Sequence, residues 1–316
     1  MDSRPELSIL IPAYNEERNL RLLVEFLRAE CASIPVRAEF LVDVSGSTDR
    51  TPEIARELAS VIPTMRVVDV GRRDGLLEAL ARLMALARAP LLLRADADIQ
   101  VLPGTVEKLL ACLRNPAVGI ASPRLGFVPG RSRIVNQLHA AYVEIHHQVS
   151  SLAPKTTVFQ LFRRVDVPLP RDAGLEDVML QELVEASGLT AEYVPDGLVR
   201  NAPPSTLREW IRQQVRYVRS LASHARRGYA ASPSTARAAV VIRALGRTLA
   251  NGEVPRSSVI LFLSGETVVR TLAASGALVS VGGSFDWEPV DGTKELHWHP
   301  MAPAAPHLTE STAQAP

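Results

Sequence analysis

A chain of 316 residues, 47% hydrophobic and 22% charged, is an ordinary globular protein with apolar material for one large α/β domain or two smaller ones. Its formal net charge of +1 gives no global pull toward nucleic acid or an acidic bilayer, so any polyanion site has to be local. The two cysteines, Cys31 and Cys112, lie far apart inside helical patterns and read as small apolar residues, not as a disulfide or a metal cluster.

Met1 to Glu6 lacks the charged start and apolar centre of a signal peptide, which makes the cytoplasm the default expectation. Leu7 to Ile11 predicts a short strand closed by Pro12, and leucines with Val24 and Phe26 at helical spacing predict a helix over Asn19 to Glu30. The turn between them, Pro12-Ala13-Tyr14-Asn15-Glu16-Glu17, could present backbone N–H groups and an acid to a nucleotide. Asn15 as N-cap, with acids at the helix's positive end, explains the same residues, and both readings can hold together.

Phe40 to Val44 predicts a second strand, turned by Ser45-Gly46-Ser47-Thr48-Asp49 into a helix that starts near Thr51-Pro52. Capping accounts for Ser47, Thr48 and Asp49. Asp43 is harder to dismiss, because a carboxylate among strand apolar residues needs a partner. Met65 to Val70 is the third strand, and Gly71-Arg72-Arg73-Asp74-Gly75 leads into a helix from Leu76 to Arg88. Its arginines suit phosphate oxygens, and they equally suit a solvated basic turn.

Leu91 to Asp98 reads as a strand buried on both faces that ends abruptly in Asp96 and Asp98. Side chains at i and i+2 share a face, so both carboxylates can approach one divalent cation bridging a diphosphate at the carboxyl edge of a sheet. Alone, the same residues could be a solvated acidic turn. A helix from Gly104 to Arg114 follows. This alternation implies parallel β-α-β units in a doubly wound sheet. The absence of G-x-G-x-x-G after the first strand and of any G-x-x-x-x-G-K-[ST] argues against dinucleotide oxidoreduction and P-loop phosphoryl transfer.

Farther on, Glu176 and Asp177 open a helical pattern (Val178, Leu180, Leu183, Val184), which sets carboxylates at a positive helix end that keeps them ionised. Gln213, Arg216 and Tyr217 share one side of a helix that also carries Trp210. Arg208, Arg212 and Arg219, with Arg226 and Arg227 beyond, form a basic stripe that fits a solvated face or an acidic lipid surface. Two helices follow, Thr235 to Leu249 and Val259 to Val281. The second is long enough to cross a bilayer. The Glu266/Arg270 pair in its middle, and Gly265, Gly276, Gly282 and Gly283, favour a helix packed on the domain or lying at an interface. His299 to Pro316 has the composition of a disordered tail.

Pro12-Ala13-Tyr14-Asn15-Glu16, Ser45-Gly46-Ser47-Thr48-Asp49 and Asp96-Ala97-Asp98, followed by Gly174-Leu175-Glu176-Asp177 and Gln213-Gln214-Val215-Arg216-Tyr217, together resemble the family-2 glycosyltransferases of GT-A fold. The resemblance implies an α/β fold, with a Rossmann-like nucleotide-binding half of mostly parallel sheet over 1–115 and an acceptor half over 116–228. A helical extension over 229–295 and a tail over 296–316 would complete the chain. It implies that Pro12, Ala13, Tyr14, Glu16 and Asp43 line the nucleotide pocket, and that Gln213, Arg216 and Tyr217 face the donor diphosphate and acceptor; Arg72 or Arg73, from the turn before the third helix, would supply the charge for which relatives carry Lys. Asp96 and Asp98 would serve the ribose, the diphosphate and a divalent metal, Mg²⁺ or Mn²⁺, and Asp177 would be the general base of an inverting transfer. The implied partners are a nucleotide diphosphate sugar and an acceptor, lipid-linked or a small molecule, with no nucleic acid and with membrane-surface contact left open.

The acceptor region, Ala117 to Arg171, contains Arg124, Arg131, Arg133, His139, His146, His147 and a strand from Thr156 to Phe162; its histidines read as surface or packing residues. The chain departs from the family pattern in having Val44-Ser45 before Gly46, Leu76 and Ala81 in the third helix, and Asn201 where relatives carry His. A nucleotidyltransferase of related fold and a non-catalytic sugar-nucleotide-binding module are the competing classes.

Overall fold

Apolar runs with no polar face become the inner strands of one sheet. The computed structural model describes residues 4–165, 169, 176–226 and 238–275, with the backbone alone at Glu176 and Asp177. In chain order the elements are β1 (Leu7–Pro12), α1 (Leu20–Ser33), β2 (Ala38–Asp43), α2 (Thr51–Val61), β3 (Met65–Val68), α3 (Leu76–Leu86) and β4 (Leu91–Ala95). Then come β5 (Ile99–Val101), α4 (Thr105–Cys112), β6 (Val118–Phe127), α5 (Arg133–Leu152), β7 (Phe159–Arg163), α6 (Glu176–Ala186) and β8 (Thr190–Asn201). Three further helices follow: α7 (Leu207–Arg226), α8 (Ala238–Asn251) and α9 (Arg256–Ser275).

The eight strands form one sheet in the order β3-β2-β1-β4-β7-β6-β8-β5. Strands β1 to β4 pair in parallel, as do β6 and β8, while β7 and β5 run antiparallel to their neighbours. Alternation along each strand sends successive side chains to opposite faces. Ile9, Ile11, Val42, Leu93 and Phe159 meet Leu23, Leu27 and Ile54 of α1 and α2 on one face. Leu10, Leu41, Leu92 and Phe162 meet Leu80 and Leu83 of α3 and Leu180 and Val184 of α6 on the other. At the amino ends of the strands, buried Glu39 accepts from Ser8 Oγ at 2.7 Å and from the Arg88 N–H at 2.7 Å, tying β2 to β1 and to the entry of β4.

The predicted strand over Leu91 to Asp98 is divided: β4 ends at Ala95, and Ile99–Val101 forms a separate strand opposite β8. The strand expected from Thr156 starts instead at Phe159, because the N–H groups of Thr156 and Thr157 bond to Gln181 Oε1 and Ser122 Oγ, each at 3.1 Å, rather than to a neighbouring strand. Strand β8 contains Pro195-Asp196-Gly197, residues that signal a turn. In the sheet they are a bulge, with Val194 opposite Pro123 and Leu198 opposite Arg124.

Helices α5, α7 and α9 share a third apolar cluster around Val135, Leu138, Trp210, Phe262 and Val269. Gly265 does not interrupt α9. A Cβ there would stand 3.0 Å from the Trp210 ring, so the missing side chain admits the indole. By length and composition α9 could span a bilayer, yet Val259, Phe262 and Val269 are buried against protein, while Ile260, Leu263 and Val268 are exposed. The predicted continuation to Val281 and the tail from His299 lie outside the described residues, as do Arg227 and the stretch from Thr235 to Arg237.

Candidate active site

Strand β1 has β2 on one side and β4 on the other, so the winding reverses between β1 and β4. The crevice outside the carboxyl ends of strands at such a reversal is where open α/β sheets bind ligands. The turns leaving β1 and β4 carry Tyr14 and Asp96 to its two sides.

Pro12 ends β1 opposite Asp43, and the Ala13 N–H donates to the Asp43 carbonyl at 2.8 Å. Asn15 is the one non-glycine with positive φ, 54°, among the described residues, a conformation that Asn tolerates. It is not the cap of α1, a position held by Asn19. Asn15 joins two turns instead: its N–H donates to Ser47 Oγ at 3.1 Å, and its Oδ1 accepts from the Thr48 N–H at 2.8 Å. Glu16 is buried and accepts from Asn19 Nδ2 at 2.9 Å, while its N–H donates to Thr51 Oγ1 at 2.7 Å.

The partner that Asp43 requires is Arg82 of α3. Its Nε donates to Asp43 Oδ2 at 2.9 Å, and its other nitrogens reach Asp74 at 2.6 and 3.0 Å. Asp43 Oδ1 also accepts the Ser45 N–H at 2.9 Å. The carboxylate is therefore engaged at both oxygens and 2% exposed. Burial disfavours the Arg82 charge, but Asp74 and Asp43 outweigh it and raise the guanidinium above its usual range.

Arg73 lies over the Tyr14 ring, with its guanidinium carbon 4.2 Å from the centroid, a cation–π contact that joins the arginine turn to the turn after β1. Gly46 makes this approach possible. Its φ is +75°, and a Cβ would stand 2.7 Å from Arg73 Cα. Gly46→Ala therefore carries the left-handed cost of about 1–2 kcal/mol and pushes the arginine turn outward as well. The expected result is a fall of several degrees in the thermal midpoint, read by circular dichroism; an unchanged midpoint would refute the close approach.

Asp96 stands i+2 from Arg94, on the same face of the sheet. Arg94, 1% exposed, donates to Asp96 Oδ1 at 3.1 and 2.9 Å and to Oδ2 at 3.2 Å. Asp98 is half-buried and precedes Ile99, which faces Asn201 across the β5/β8 pair. Asn201 Oδ1 in turn lies 3.2 Å from His139 Nε2.

The segment 154–158 links this edge to the later motifs. Its Val158 carbonyl accepts the Asp96 N–H at 3.2 Å, and its Pro154 carbonyl accepts from Gln181 Nε2 at 3.1 Å. Gln181 is one helical turn after Asp177, so α6 begins at the same sheet end as Asp96 and runs back toward Thr190. Tyr217 of α7 reaches the same segment, its hydroxyl 3.4 Å from Lys155 Nζ. Gln213 and Arg216 are half-buried on that helix. The side chain of Asp177 lies outside what is described.

The histidines of α5 are packing residues. His139 stacks edge-on against Phe127 at 5.2 Å, and burial holds its pKa down at about 4. His146 is also shifted down by burial, and His147 bonds the Tyr193 hydroxyl at 2.7 Å. Among the described residues no group of three or more His, Cys, Asp or Glu forms a metal cage. Hard cations bound through one or two carboxylates and substrate phosphates need no such cage, so the acids after β4 fit Mg²⁺ or Mn²⁺.

Arg82, Arg94 and Lys155 escaped the sequence reading, as did the pairing of Asp74 with Arg82. Arg94 carried a usable signal, since a charge inside a buried strand run needs a partner just as Asp43 does. Arg82 and Lys155 carried none.

A sheet wound this way, with acids at the carboxyl edge of β4 and a helical extension behind, is a GT-A α/β domain. A family model described as Glycosyl transferase family 2 matches residues 8–165, and the chain belongs to that family. It is 34% identical over 110 residues to a dolichol-phosphate mannosyltransferase of Pyrococcus furiosus, covering 35% of this chain and 30% of that one. It is 25% identical over 243 residues to an N-acetylglucosaminyltransferase of Sinorhizobium fredii, covering 68% and 57%. The chain thus spans less than two thirds of the length of these curated relatives. A mannosyltransferase of Pyrobaculum calidifontis, solved with GDP-Man and Mn²⁺, shares the fold at a TM-score of 0.52 and 20% identity, over 90% of this chain and 83% of that one.

Proposed function

We propose that this protein is an inverting glycosyltransferase that moves a sugar from a nucleotide diphosphate sugar to an acceptor hydroxyl. The observation that carries the reading is that the Asp96 N–H, Gln181 of α6 and Tyr217 of α7 all reach segment 154–158, beside the reversal between β1 and β4. Tyr14 and Arg73 flank the nucleotide side, and Asp98, with Asp96, would hold Mg²⁺ or Mn²⁺. A bound cation there supplies Lewis-acid stabilisation of the charge developing on the departing diphosphate.

Asp177 is the base in this reading. The acceptor oxygen bonds to the anomeric carbon as its proton passes to Asp177, and the bond to the diphosphate oxygen breaks with its electrons on that oxygen. The positive end of α6 favours the ionised carboxylate that this role needs.

Two relatives matched over 35% of this chain are named for dolichol phosphate and dodecaprenyl phosphate, which keeps a lipid-linked acceptor beside a small molecule as the partner of this reading. The basic stripe of α7 and the exposed Ile260, Leu263 and Val268 of α9 suit peripheral contact of a cytoplasmic enzyme with a membrane surface.

Incubation with Mn²⁺ and a panel of nucleotide sugars tests the assignment. Slow release of nucleoside diphosphate is expected, falling about 100-fold or more in Asp98→Asn. Asp177→Asn is expected to bind donor normally and lose transfer by a similar factor. Full rate in Asp177→Asn removes it as the base. Pyrophosphate release from a sugar phosphate and a nucleoside triphosphate would favour a nucleotidyltransferase instead.

A further inference from the structure

His224 is a buried titratable side chain that the transfer chemistry does not use. It is 1% exposed near the end of α7, and its Nε2 lies 3.3 Å from each carboxylate oxygen of Glu182 on α6. Seven positions separate it from Tyr217 and eleven from Gln213, spacings that put all three on one side of the helix. The apolar cluster shared with α5 and α9 takes Trp210, Ile211, Val215 and Val218 of α7, all before Arg219. Beyond them, His224 carries α7 onto α6.

On α6, Glu182 follows Gln181, and neighbours in a helix point about 100° apart around its axis. Gln181 bonds segment 154–158 through the Pro154 carbonyl and the Thr156 N–H, each at 3.1 Å. One residue therefore pins α6 to the sheet end and the next pins it to α7, four and five positions after Asp177. The pair is costly to keep. Burial raises the Glu182 carboxyl above its ordinary range; the His224 bond opposes this and the Glu185 charge adds to it. Apolar side chains of similar volume often fill such a place with equal or greater stability. What a hydrogen-bonded pair adds is direction, because it fixes an angle and a distance that apolar contact leaves loose.

We propose that His224 is a positioning residue for the transfer: through Glu182 it sets α6, whose first turn holds Asp177, against the side of α7 that carries Gln213 and Tyr217. The inference rests on the transferase reading. A purely structural clasp would stabilise the fold and leave the turnover of folded protein unchanged.

The test compares wild type with His224→Leu, His224→Gln, Glu182→Leu and the double variant His224→Leu with Glu182→Leu. Leu58→Ala, buried in α2 beside the opposite end of the sheet, controls for lost stability alone. Each is assayed well below its thermal midpoint for nucleoside diphosphate release from a nucleotide sugar with Mn²⁺, which gives kcat and the donor KM. His224→Leu and Glu182→Leu are each expected to lose about tenfold in kcat at unchanged KM. The double variant should lose no more than either, and His224→Gln, which keeps an N–H donor, should recover most of the loss. Leu58→Ala should lower the midpoint and keep kcat. Amide hydrogen exchange over 176–186 follows the clasp itself and should quicken in His224→Leu but not in His224→Gln. Where a single leucine strands the other group and the chain does not fold, the double variant, with neither charge left, carries the test and should still show the loss. Unchanged kcat, additive losses, unchanged exchange over 176–186, or an equal kcat loss in Leu58→Ala overturns the inference. A wild type that turns over no nucleotide sugar defeats the transferase reading itself, a result that the exchange measurement keeps separate from failure of the clasp.

Discussion

Asp96→Ala is expected to destabilise the protein by about 3–5 kcal/mol, before any chemistry is tested. The reason is the guanidinium beside it. Arg94 is 1% exposed, in a strand flanked by β1 and β7, and three of its contacts go to Asp96. Removing the carboxylate leaves a buried cation without this counter-charge, and that penalty exceeds the net worth of the intact pair. Arg94→Met with Asp96→Ala removes both charges and is expected to recover most of the loss, since an apolar replacement of similar volume is often neutral. Urea unfolding followed by circular dichroism reads both variants. Equal midpoints for Asp96→Ala and wild type would show that the pair does not serve as counter-ion. The consequence for function is direct: lost activity in Asp96→Ala reports folding together with chemistry.

Arg82→Met is expected to cost a similar amount, about 3–5 kcal/mol, at the turns after β2 and β3. Asp43 would keep the Ser45 N–H but lose the guanidinium that approaches it within 2.8 Å, and Asp74 would lose its anchor. Adding Asp43→Asn removes the stranded charge and should return more than half of the loss. If the double variant is no more stable than Arg82→Met alone, the cost comes from the lost packing of the arginine stem and not from the carboxylate. Because Ser45 also accepts from the Val70 N–H at 3.1 Å, this network fixes the spacing between the turns after β2 and β3. A nucleotide base entering beside Tyr14 would therefore meet an edge already set by Arg82, with Asp43 behind it.

The first four strands and their helices were legible because each is a short, nearly continuous apolar run followed by an amphipathic stretch, and that periodicity survives in any context. Strands β6 and β8 were not, because Pro123, Gly126 and the Pro195-Asp196-Gly197 bulge carry turn chemistry that only their pairing in the sheet overrides. At the site, Asp43 was recognisable as a charge that needed a partner, but nothing local named Arg82, 39 positions away, as that partner.

By itself, then, the order of residues determined the α/β class, the placing of Tyr14, Asp96 and Asp98 at strand ends, and the resemblance to family-2 glycosyltransferases. These follow from period and local turn chemistry. Only the tertiary structure decided which charges are engaged, that Gly46 admits Arg73, and that segment 154–158 joins β4, α6 and α7. Those outcomes depend on contacts between residues distant in the chain, where burial and charge pairing are set by neighbours that no local window contains.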